Sequence, residues 1–302
     1  MSETARSAPA HPSQRLAAAE RLLGRHGGDA TWFLDRLSQS GWSPQDLWCY
    51  SMGNGRILAS GLICEHAGRT ATLATSRCHD PEQVRIAADL LTAMVKDLAR
   101  RNTIMLAQGM IPAEDADAMK AFNLAGFTEL AVLACMERPN TRNIPRPKPI
   151  AGTEFIQAND DAALQAILRA SYEDTLDCPG LAELRSDEDI LAGHRRNGRF
   201  EPALWTMLRS DQAIVGAALV NRSPENDSVE LTYLGLAKSA RGKGLGTLLL
   251  DEALWKCSQV PERTIALAVD EKNSPADRLY RSRGFRTVAR RRAFALRVQS
   301  ST

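Results

Sequence analysis

The alternation of apolar and polar residues in the first half of the chain predicts a strand-rich α/β arrangement. Residues 47–52 and 57–64 are strand-like and are separated by a Gly-Asn-Gly sequence that is typical of a hairpin turn. A third short strand is predicted at 71–75. Residues 82–101 then carry apolar residues at helical spacing, which predicts a long helix with one buried face.

The same succession of elements is predicted twice along the chain. After the long helix come a short strand, a helix near 114–124 and a strand at 130–136. Residues 139–149 contain four prolines, which favour an extended linker over a helix or a central strand. Beyond this linker, strands at 229–236 and 264–269 flank another helix in the same order. The chain is therefore predicted to contain two related halves.

A glycine-rich stretch, Arg241 to Gly246, lies between the strand at 229–236 and the helix that follows it. Glycines at alternate positions let the backbone approach a bulky anion, and the free N–H groups of a helix start attract negative charge. The stretch lacks the Lys-Ser/Thr pair of a Walker loop and the glycine spacing of a dinucleotide fingerprint. It predicts a pyrophosphate cradle, although an ordinary tight turn has a similar composition.

A second block follows at the expected distance. It consists of Asn273-Ser274-Pro275-Ala276 and the run Leu279 to Phe285, which contains Tyr280. Together the two blocks resemble the R/Q-x-x-G-x-G/A loop and the N-x-x-A…L-Y-x-x-x-G-F signature of the GNAT superfamily of N-acetyltransferases. The resemblance covers residues 151–302 in full. In the first half of the chain, residues 121–127 resemble the run Leu279 to Phe285, with Phe122 at the position of Tyr280.

The resemblance implies an α/β (α+β) fold of two tandem GNAT-like domains, each a mixed, mostly antiparallel sheet flanked by helices. We expect a disordered tail at 1–15, a degenerate domain at 16–138, a linker at 139–150 and a catalytic domain at 151–302. In the degenerate domain, residues 76–81 contain no glycine in place of the loop, so we expect no productive acetyl-CoA binding there. Mycothiol synthases have a similar tandem arrangement, but architecture alone does not carry over their substrate.

For the activity, the resemblance implies transfer of an acetyl group from acetyl-CoA, as cosubstrate, to a primary amine, by direct attack in a ternary complex. Coenzyme A is expected to contact the strand before the loop, the loop itself and the start of the last helix, at Leu234, Gly235, Leu236, Arg241, Gly242, Lys243, Gly244, Leu245, Gly246, Thr247, Asn273, Ala276 and Tyr280. Asn273 is also a good helix N-cap, so the sequence leaves both roles open.

Three residues are candidates for the chemistry. By motif position, the Leu234 N–H is the expected oxyanion donor and Tyr280 the acid that protonates the thiolate. Glu230 is the candidate base, because strand periodicity would put it on the same face as Leu234. The alternatives are a solvated strand-end glutamate at 230 and a packing tyrosine at 280.

The acceptor site is expected to include Tyr172, Glu173, Asp174 and Asp177, because acids beside an aromatic residue could receive a cationic amine. The alternative is an acidic helix end that runs into the Pro179-Gly180 turn. Two other functions stay open: an acyl-CoA-binding regulatory or sensor protein, and a protein N-terminal or lysine acetyltransferase, which would need an open groove.

Composition and charge narrow the expected partners. The 302 residues carry a formal net charge of +2, which offers no electrostatic case for a nucleic-acid partner, although arginines cluster between 281 and 292. Six cysteines without C-x-x-C spacing predict reduced thiols in a cytoplasmic protein and no metal site. The absence of a long apolar run predicts no membrane partner. We expect a small-molecule acceptor and a monomer or homodimer.

Overall fold

The structure, a computed structural model, describes residues 5–24, 28–39 and 42–299. The chain divides into two compact units. The N-terminal unit comprises Met1–Leu130 together with Arg291–Thr302, and the C-terminal unit comprises Ala131–Arg290.

Two successions of elements with the same order make up the chain. The first is β1 (Arg6–Pro9), α1 (Arg15–Leu23), α2 (Ala30–Gln39), β2 (Leu47–Ser51), β3 (Ile57–His66), β4 (Thr70–Thr75), α3 (Pro81–Arg101), β5 (Leu106–Pro112), α4 (Ala116–Leu124) and β6 (Thr128–Pro139). The second is β7 (Thr153–Gln157), α5 (Asp161–Tyr172), α6 (Asp187–Arg196), β8 (Thr206–Ser210), β9 (Ala213–Ser223), β10 (Ser228–Leu236), α7 (Leu245–Cys257), β11 (Thr264–Asp270), α8 (Ser274–Ser282) and β12 (Arg286–Arg297). The predicted internal repeat is confirmed.

Each unit has a mixed sheet in which most neighbours are antiparallel. The strand order in the N-terminal unit is β1-β2-β3-β4-β5-β12, and only β4 and β5 run parallel among these pairs. In the C-terminal unit the order is β6-β11-β10-β9-β8-β7, with β10 and β11 parallel. The predicted fold class, two tandem GNAT-like sheets flanked by helices, is confirmed.

The boundaries of the units differ from those predicted, because the last strand of each repeat belongs to the other unit. Residues 133–139 of β6 pair with β11 in the C-terminal unit, and residues 291–297 of β12 pair with β5 in the N-terminal unit. Residues 140–150 form neither helix nor strand, in agreement with an extended linker. The alternation of apolar residues in a strand sets its faces but not its partner.

The predicted disordered tail at 1–15 is wrong where the structure describes it. Arg6–Pro9 forms the edge strand β1, antiparallel to β2, and α1 begins at Arg15. The four residues of β1 are not fully buried, so backbone pairing with β2 rather than an apolar pattern holds this strand in place. Composition alone therefore could not reveal it. Residues 1–4 lie outside the described residues.

The cores lie between the sheets and the helices that cover them. In the N-terminal unit, α3 buries Leu90, Leu91, Met94 and Leu98 completely. In the C-terminal unit, Trp205 is fully buried, and its indole N–H donates to the Asn221 side-chain oxygen at 2.9 Å. Across the described ranges, no helix is both long and apolar enough to cross a membrane.

Replacing Gly109 of β5 by alanine is expected to destabilise the protein by about 1–3 kcal/mol, because overpacking a full core forces side chains to shift. A Cβ at position 109 would lie 2.0 Å from Cε1 of Phe122, whose ring is completely buried. Chemical denaturation measures the change. The Phe122→Leu variant and the double variant complete a cycle, and strictly additive effects would contradict the predicted clash.

Candidate active site

A gap between two neighbouring strands defines the candidate site. β10 pairs with β9 along its whole length, but it pairs with β11 only from Ser228 to Glu230. Beyond Glu230 the two parallel strands separate. A cavity of about 700 Å³ opens at this point, lined by β10, the end of β11, the starts of α7 and α8, and the segment from α5 to α6. The fold therefore leaves one edge of β10 free to face a ligand.

A β-bulge in β10 reverses the faces of the strand. The register with β9 shifts between Leu231 and Tyr233, so Thr232 is the extra residue. Tyr233 consequently packs with the apolar cluster that includes residues of α5 and α6, whereas Leu234 packs with the cluster that includes α7. The prediction that Glu230 and Leu234 share one face is wrong, because a bulge breaks the period of two.

Glu230 lies away from the predicted position. Its carboxylate is hydrogen-bonded to the side chain of Asn197, at the end of α6, and burial raises the pKa of Glu230. The described residues that line the cavity do not include Glu230. Thr232, by contrast, is in the cavity wall, and its hydroxyl donates to the Leu219 carbonyl at 3.2 Å.

The Leu234 N–H faces the gap. Just after β10, Ala237 donates its backbone N–H to the carbonyl of Val215 in β9 at 2.9 Å. Residues 237 and 215 are therefore a hydrogen-bonded pair of the antiparallel ladder. Because such pairs alternate, the N–H groups of Leu236 and Leu234, one and three positions earlier, point toward the opposite edge of β10. That edge is the one that β11 leaves unpaired.

The glycine loop leads into an uncapped helix. Gly242 and Gly244 have backbone φ angles of +75° and +78°, which residues other than glycine rarely adopt. A Cβ at either position would meet no described atom within 4 Å, so the backbone conformation rather than crowding requires glycine there. Gly244 is the N-cap of α7, and no side chain of the described residues caps this helix. The N–H groups of its first turn are available to an anion.

Arg241 acts differently from the prediction. Its backbone N–H donates to the Lys238 carbonyl at 3.2 Å and is therefore already occupied. Its guanidinium donates to the backbone carbonyls of Ser171, Asp174 and Leu236 at 2.7, 3.1 and 3.3 Å. Arg241 thus ties the end of α5 to the end of β10.

The remaining loop residues divide between surface, core and cavity. Lys243 is exposed and is not among the described residues that line the cavity, and Leu245 is buried in the core beneath α7. Gly246 and Thr247, in the first turn of α7, line the cavity. A Cβ at Gly246 would meet Leu236 and Leu279 only at ordinary contact distances.

Helix α8 supplies the predicted tyrosine, and its N-cap is the predicted asparagine. Asn273 caps α8, accepting the Ala276 N–H at 3.3 Å, and its side chain also hydrogen-bonds Asp177. Tyr280 is 7% exposed and lines the cavity, with its ring against Phe285 at 5.8 Å between centroids. Burial raises the pKa of Tyr280, so its hydroxyl stays protonated at neutral pH.

Only some of the predicted acceptor residues face the cavity. Lys238 neutralises Glu173 and Asp174, with N–O distances of 3.2 and 2.6 Å, and lowers the pKa of Asp174. Tyr172 and Asp177 line the cavity, as does Asp174, but Glu173 does not. The Asp177 carboxylate accepts the Asp270 N–H at 2.9 Å, and burial raises its pKa.

Several cavity residues were not predicted. Tyr233 donates its hydroxyl to Ser171, and its ring lies 5.6 Å from that of His194 between centroids. Arg185 lines the cavity from the segment before α6. Burial, with Arg185 nearby, lowers the pKa of His194 to about 4. No sequence motif marks these side chains, because α6 and the bulge bring them together only in the folded chain.

The corresponding region of the N-terminal unit is closed. Asp80 caps α3 where Gly244 stands before α7, and its carboxylate accepts the Gln83 N–H at 2.8 Å. The fully buried ring of Phe122, at the position of Tyr280, fills the space beside Gly109. Across the described residues, no group of three or more His, Cys, Asp or Glu side chains could hold a metal ion in either unit.

Comparison with known proteins agrees with this geometry. Residues 163–285 match the model of the acetyltransferase (GNAT) family. A mycothiol acetyltransferase of Frankia casuarinae is 28% identical over 199 residues, which are 61% of this chain and 55% of that protein. The match therefore spans about half the length of this curated relative.

Solved structures share the fold over nearly the whole chain. A GCN5-related N-acetyltransferase from Sphaerobacter thermophilus aligns with a TM-score of 0.64 and 16% identity, covering 99% of this chain and 97% of the other. A tandem GNAT protein from the clavulanic acid biosynthesis pathway aligns with a TM-score of 0.52 and 15% identity, covering 99% and 100%. Residues 163–285 therefore form an acetyltransferase domain of the GNAT family, within a chain that has the fold of tandem GNAT proteins.

Proposed function

We propose that this protein is an acetyl-CoA-dependent N-acetyltransferase that acetylates a primary amine of a small molecule by direct attack in a ternary complex. One observation carries the proposal. The unpaired edge of β10, the uncapped start of α7 and Tyr280 of α8 all face the same cavity. The relative from Frankia casuarinae is named as an acetyltransferase. This name supports acetyl transfer as the reaction type, but it does not identify the acceptor of the present protein.

The α7 end of the cavity would hold coenzyme A. The first-turn N–H groups after Gly244 would bind the pyrophosphate, aided by a helix dipole equivalent to roughly half a positive charge. The free edge of β10 at Leu234 and Leu236 would pair with the pantetheine amides. Side chains around the loop, chiefly Arg241 with its three carbonyl contacts, would hold this arrangement rigid.

The reacting groups would meet in the middle of the cavity. The Leu234 N–H would donate to the oxyanion that forms when the amine attacks the thioester carbon. As the C–S bond breaks, the Tyr280 hydroxyl, which burial keeps protonated, would give its proton to the leaving thiolate.

Asp177 is the carboxylate that we propose as the base. It lines the same cavity as Tyr280, and its charge adds to burial in raising the pKa of Tyr280. A carboxylate with a raised pKa is a better proton acceptor, and as an anion it also attracts the ammonium form of the acceptor. Asp174 is engaged with Lys238, and Glu230 lies outside the cavity wall.

The N-terminal unit is proposed to bind no acetyl-CoA. The Asp80 carboxylate occupies the start of α3 and would repel a phosphate there, and Pro81 lacks an N–H to offer. Phe122 carries no proton that a thiolate could take. The catalytic part of the chain would then be the C-terminal unit alone.

An amine-library screen with thiol release from acetyl-CoA as the readout tests the proposal. Release that depends on an amine, with the acetylated product identified by mass spectrometry, is the expected result. Acetyl-CoA binding without release for any amine would favour the sensor alternative. Release with histone-like or N-terminal peptides but with no small amine would favour a protein acetyltransferase.

Asp177→Asn is expected to lower kcat/KM by about 10- to 100-fold, because the amide cannot accept the amine proton. The amide oxygen can still accept the Asp270 N–H, so the fold should persist. In the wild type, kcat/KM should rise with pH through the raised pKa of Asp177, since only the deprotonated carboxylate is a base. The pH profile of the variant should lack this acidic limb.

Glu230→Gln is the matched comparison for this test. Its carboxylate is also buried with a raised pKa, but it contacts Asn197 rather than the cavity. Activity close to that of the wild type is expected. A large loss in Glu230→Gln together with an active Asp177→Asn variant would assign the base to Glu230 instead.

A further inference from the structure

The end of the cavity next to α6 contains a guanidinium whose hydrogen-bonding capacity is only partly used. Arg185 lines the cavity between Leu181 and α6. One terminal nitrogen donates to the Asp189 carbonyl at 2.8 Å. Its Nε is buried and has no hydrogen-bond partner among the described residues. Because a partly buried guanidinium with unpaired donors is destabilising, a ligand that accepts from this group would bind favourably.

Arg185 shares the cavity lining with a carboxylate, that of Asp177, and with Tyr172. Burial raises the pKa of Tyr172, and the charges of Arg185 and Asp177 also act on its hydroxyl. The lining thus presents a carboxylate, a guanidinium and a tyrosine, a set of groups that is complementary to a small zwitterion.

Because His194 is neutral, it adds no positive charge with which this end of the cavity could bind an anionic ligand. Burial and Arg185 lower the pKa of His194 to about 4, so the ring carries no charge at neutral pH. Asp187, at the start of α6, pairs with Arg169 on the outer surface, where the arginine side chain is 74% exposed. Of the described residues that line the cavity, Arg241 is the other cation, and its guanidinium is engaged with three backbone carbonyls. A single available cation suits a carboxylate better than a doubly charged phosphate.

We propose that the acceptor is an amine that also carries a carboxylate, an amino acid or a close analogue, with the carboxylate bound by Arg185 and the amine beside Asp177. This inference rests on the proposed acetyltransferase function and specifies its substrate class. The guanidinium would donate its available N–H groups to the carboxylate oxygens. Arg185 would thereby set both the choice of acceptor and the direction in which its amine points.

Binding of N-acetyl amino acids, the products expected, tests the proposal without turnover. A panel of N-acetyl amino acids and the matching carboxamides is titrated into the full chain by calorimetry, with and without coenzyme A. At least one acid should bind the wild type about 10- to 100-fold more tightly than its carboxamide. Arg185→Gln should erase this difference, and Arg185→Lys, which keeps the charge but loses the planar fork, should retain part of it.

Arg169→Gln serves as the matched control, since it removes an arginine that pairs with Asp187 at the surface. It should bind the panel like the wild type. The proposal is overturned if no panel member binds, if acids and carboxamides bind the wild type equally, or if the preference survives in Arg185→Gln. If the Arg185 variants do not fold, the comparison between acids and carboxamides in the wild type tests the proposal by itself.

Thiol release separates this inference from the proposed function. Amino acids and their carboxamides are compared as acceptors, and KM should be lower for the acids only when Arg185 is present. Release without preference for the acids would keep the acetyltransferase proposal and overturn the inference. A carboxylate-dependent binding preference without any thiol release would support the ligand site and count against the enzyme.

Discussion

Gly244→Asp is expected to weaken coenzyme A binding by more than about 100-fold while the protein stays folded. The new carboxylate would cap the first turn of α7 and so occupy the N–H groups that the pyrophosphate requires. It would also repel the phosphates. Aspartate tolerates the left-handed backbone conformation better than most residues, and a Cβ at this position has open space. Calorimetric titration with acetyl-CoA measures the loss.

The N-terminal unit of the same chain contains a natural counterpart of this variant. Asp80 is the N-cap of α3 in the N-terminal unit, with its carboxylate 2.8 Å from the Gln83 nitrogen, although its backbone is extended whereas that of Gly244 is left-handed. Gly244→Asn is the matched control, because asparagine has the same shape and a similar tolerance of positive φ but no charge. Its affinity should lie between those of the wild type and Gly244→Asp. Wild-type affinity in Gly244→Asp would mean that coenzyme A does not bind at the start of α7.

Tyr280→Phe is expected to lower kcat by about 100- to 1000-fold, the range typical of a lost general acid. Phenylalanine keeps the ring packing against Phe285, so thermal stability and acetyl-CoA affinity should change little. The loss should appear in kcat rather than in KM, because the hydroxyl acts on the leaving thiolate. Steady-state kinetics with a saturating amine and acetyl-CoA provide the measurement.

Tyr50→Phe in β2 is the control for removing a tyrosine hydroxyl elsewhere in the chain, and its kinetics should match those of the wild type. Turnover by Tyr280→Phe within about twofold of the wild type would remove Tyr280 as the acid. The hydroxyl would then serve packing alone, which was the alternative left open by the sequence.

Much of the fold was predictable because the signals are local. The long helix predicted at 82–101 is observed at Pro81–Arg101, since an amphipathic pattern of this length has few alternatives. The glycine loop was likewise readable, because positive φ at Gly242 and Gly244 is a property of the residue itself. The internal repeat followed from the order of elements and from the echo of residues 121–127 in the last helix.

The candidate site was predicted less completely, because its side chains come together through tertiary contacts. The bulge at Thr232 moved Glu230 away from Leu234, and strand periodicity could not reveal an inserted residue. Lys238 forms ion pairs with two predicted acceptor residues, Glu173 and Asp174, and of these two only Asp174 lines the cavity. The role of the Arg241 guanidinium could not be predicted, because its partners are backbone carbonyls, which every residue has and no sequence motif marks.

The sequence by itself determined the type of fold, its duplication and the place of the anion-binding loop, since each depends on residues close together along the chain. Only the tertiary structure decided that the units exchange their last strands, that Asp177 and Tyr280 share one cavity, and that Arg185 and His194 line its far end. The physical reason is that strand partners, a bulge and the burial of a charge depend on contacts between residues far apart in sequence.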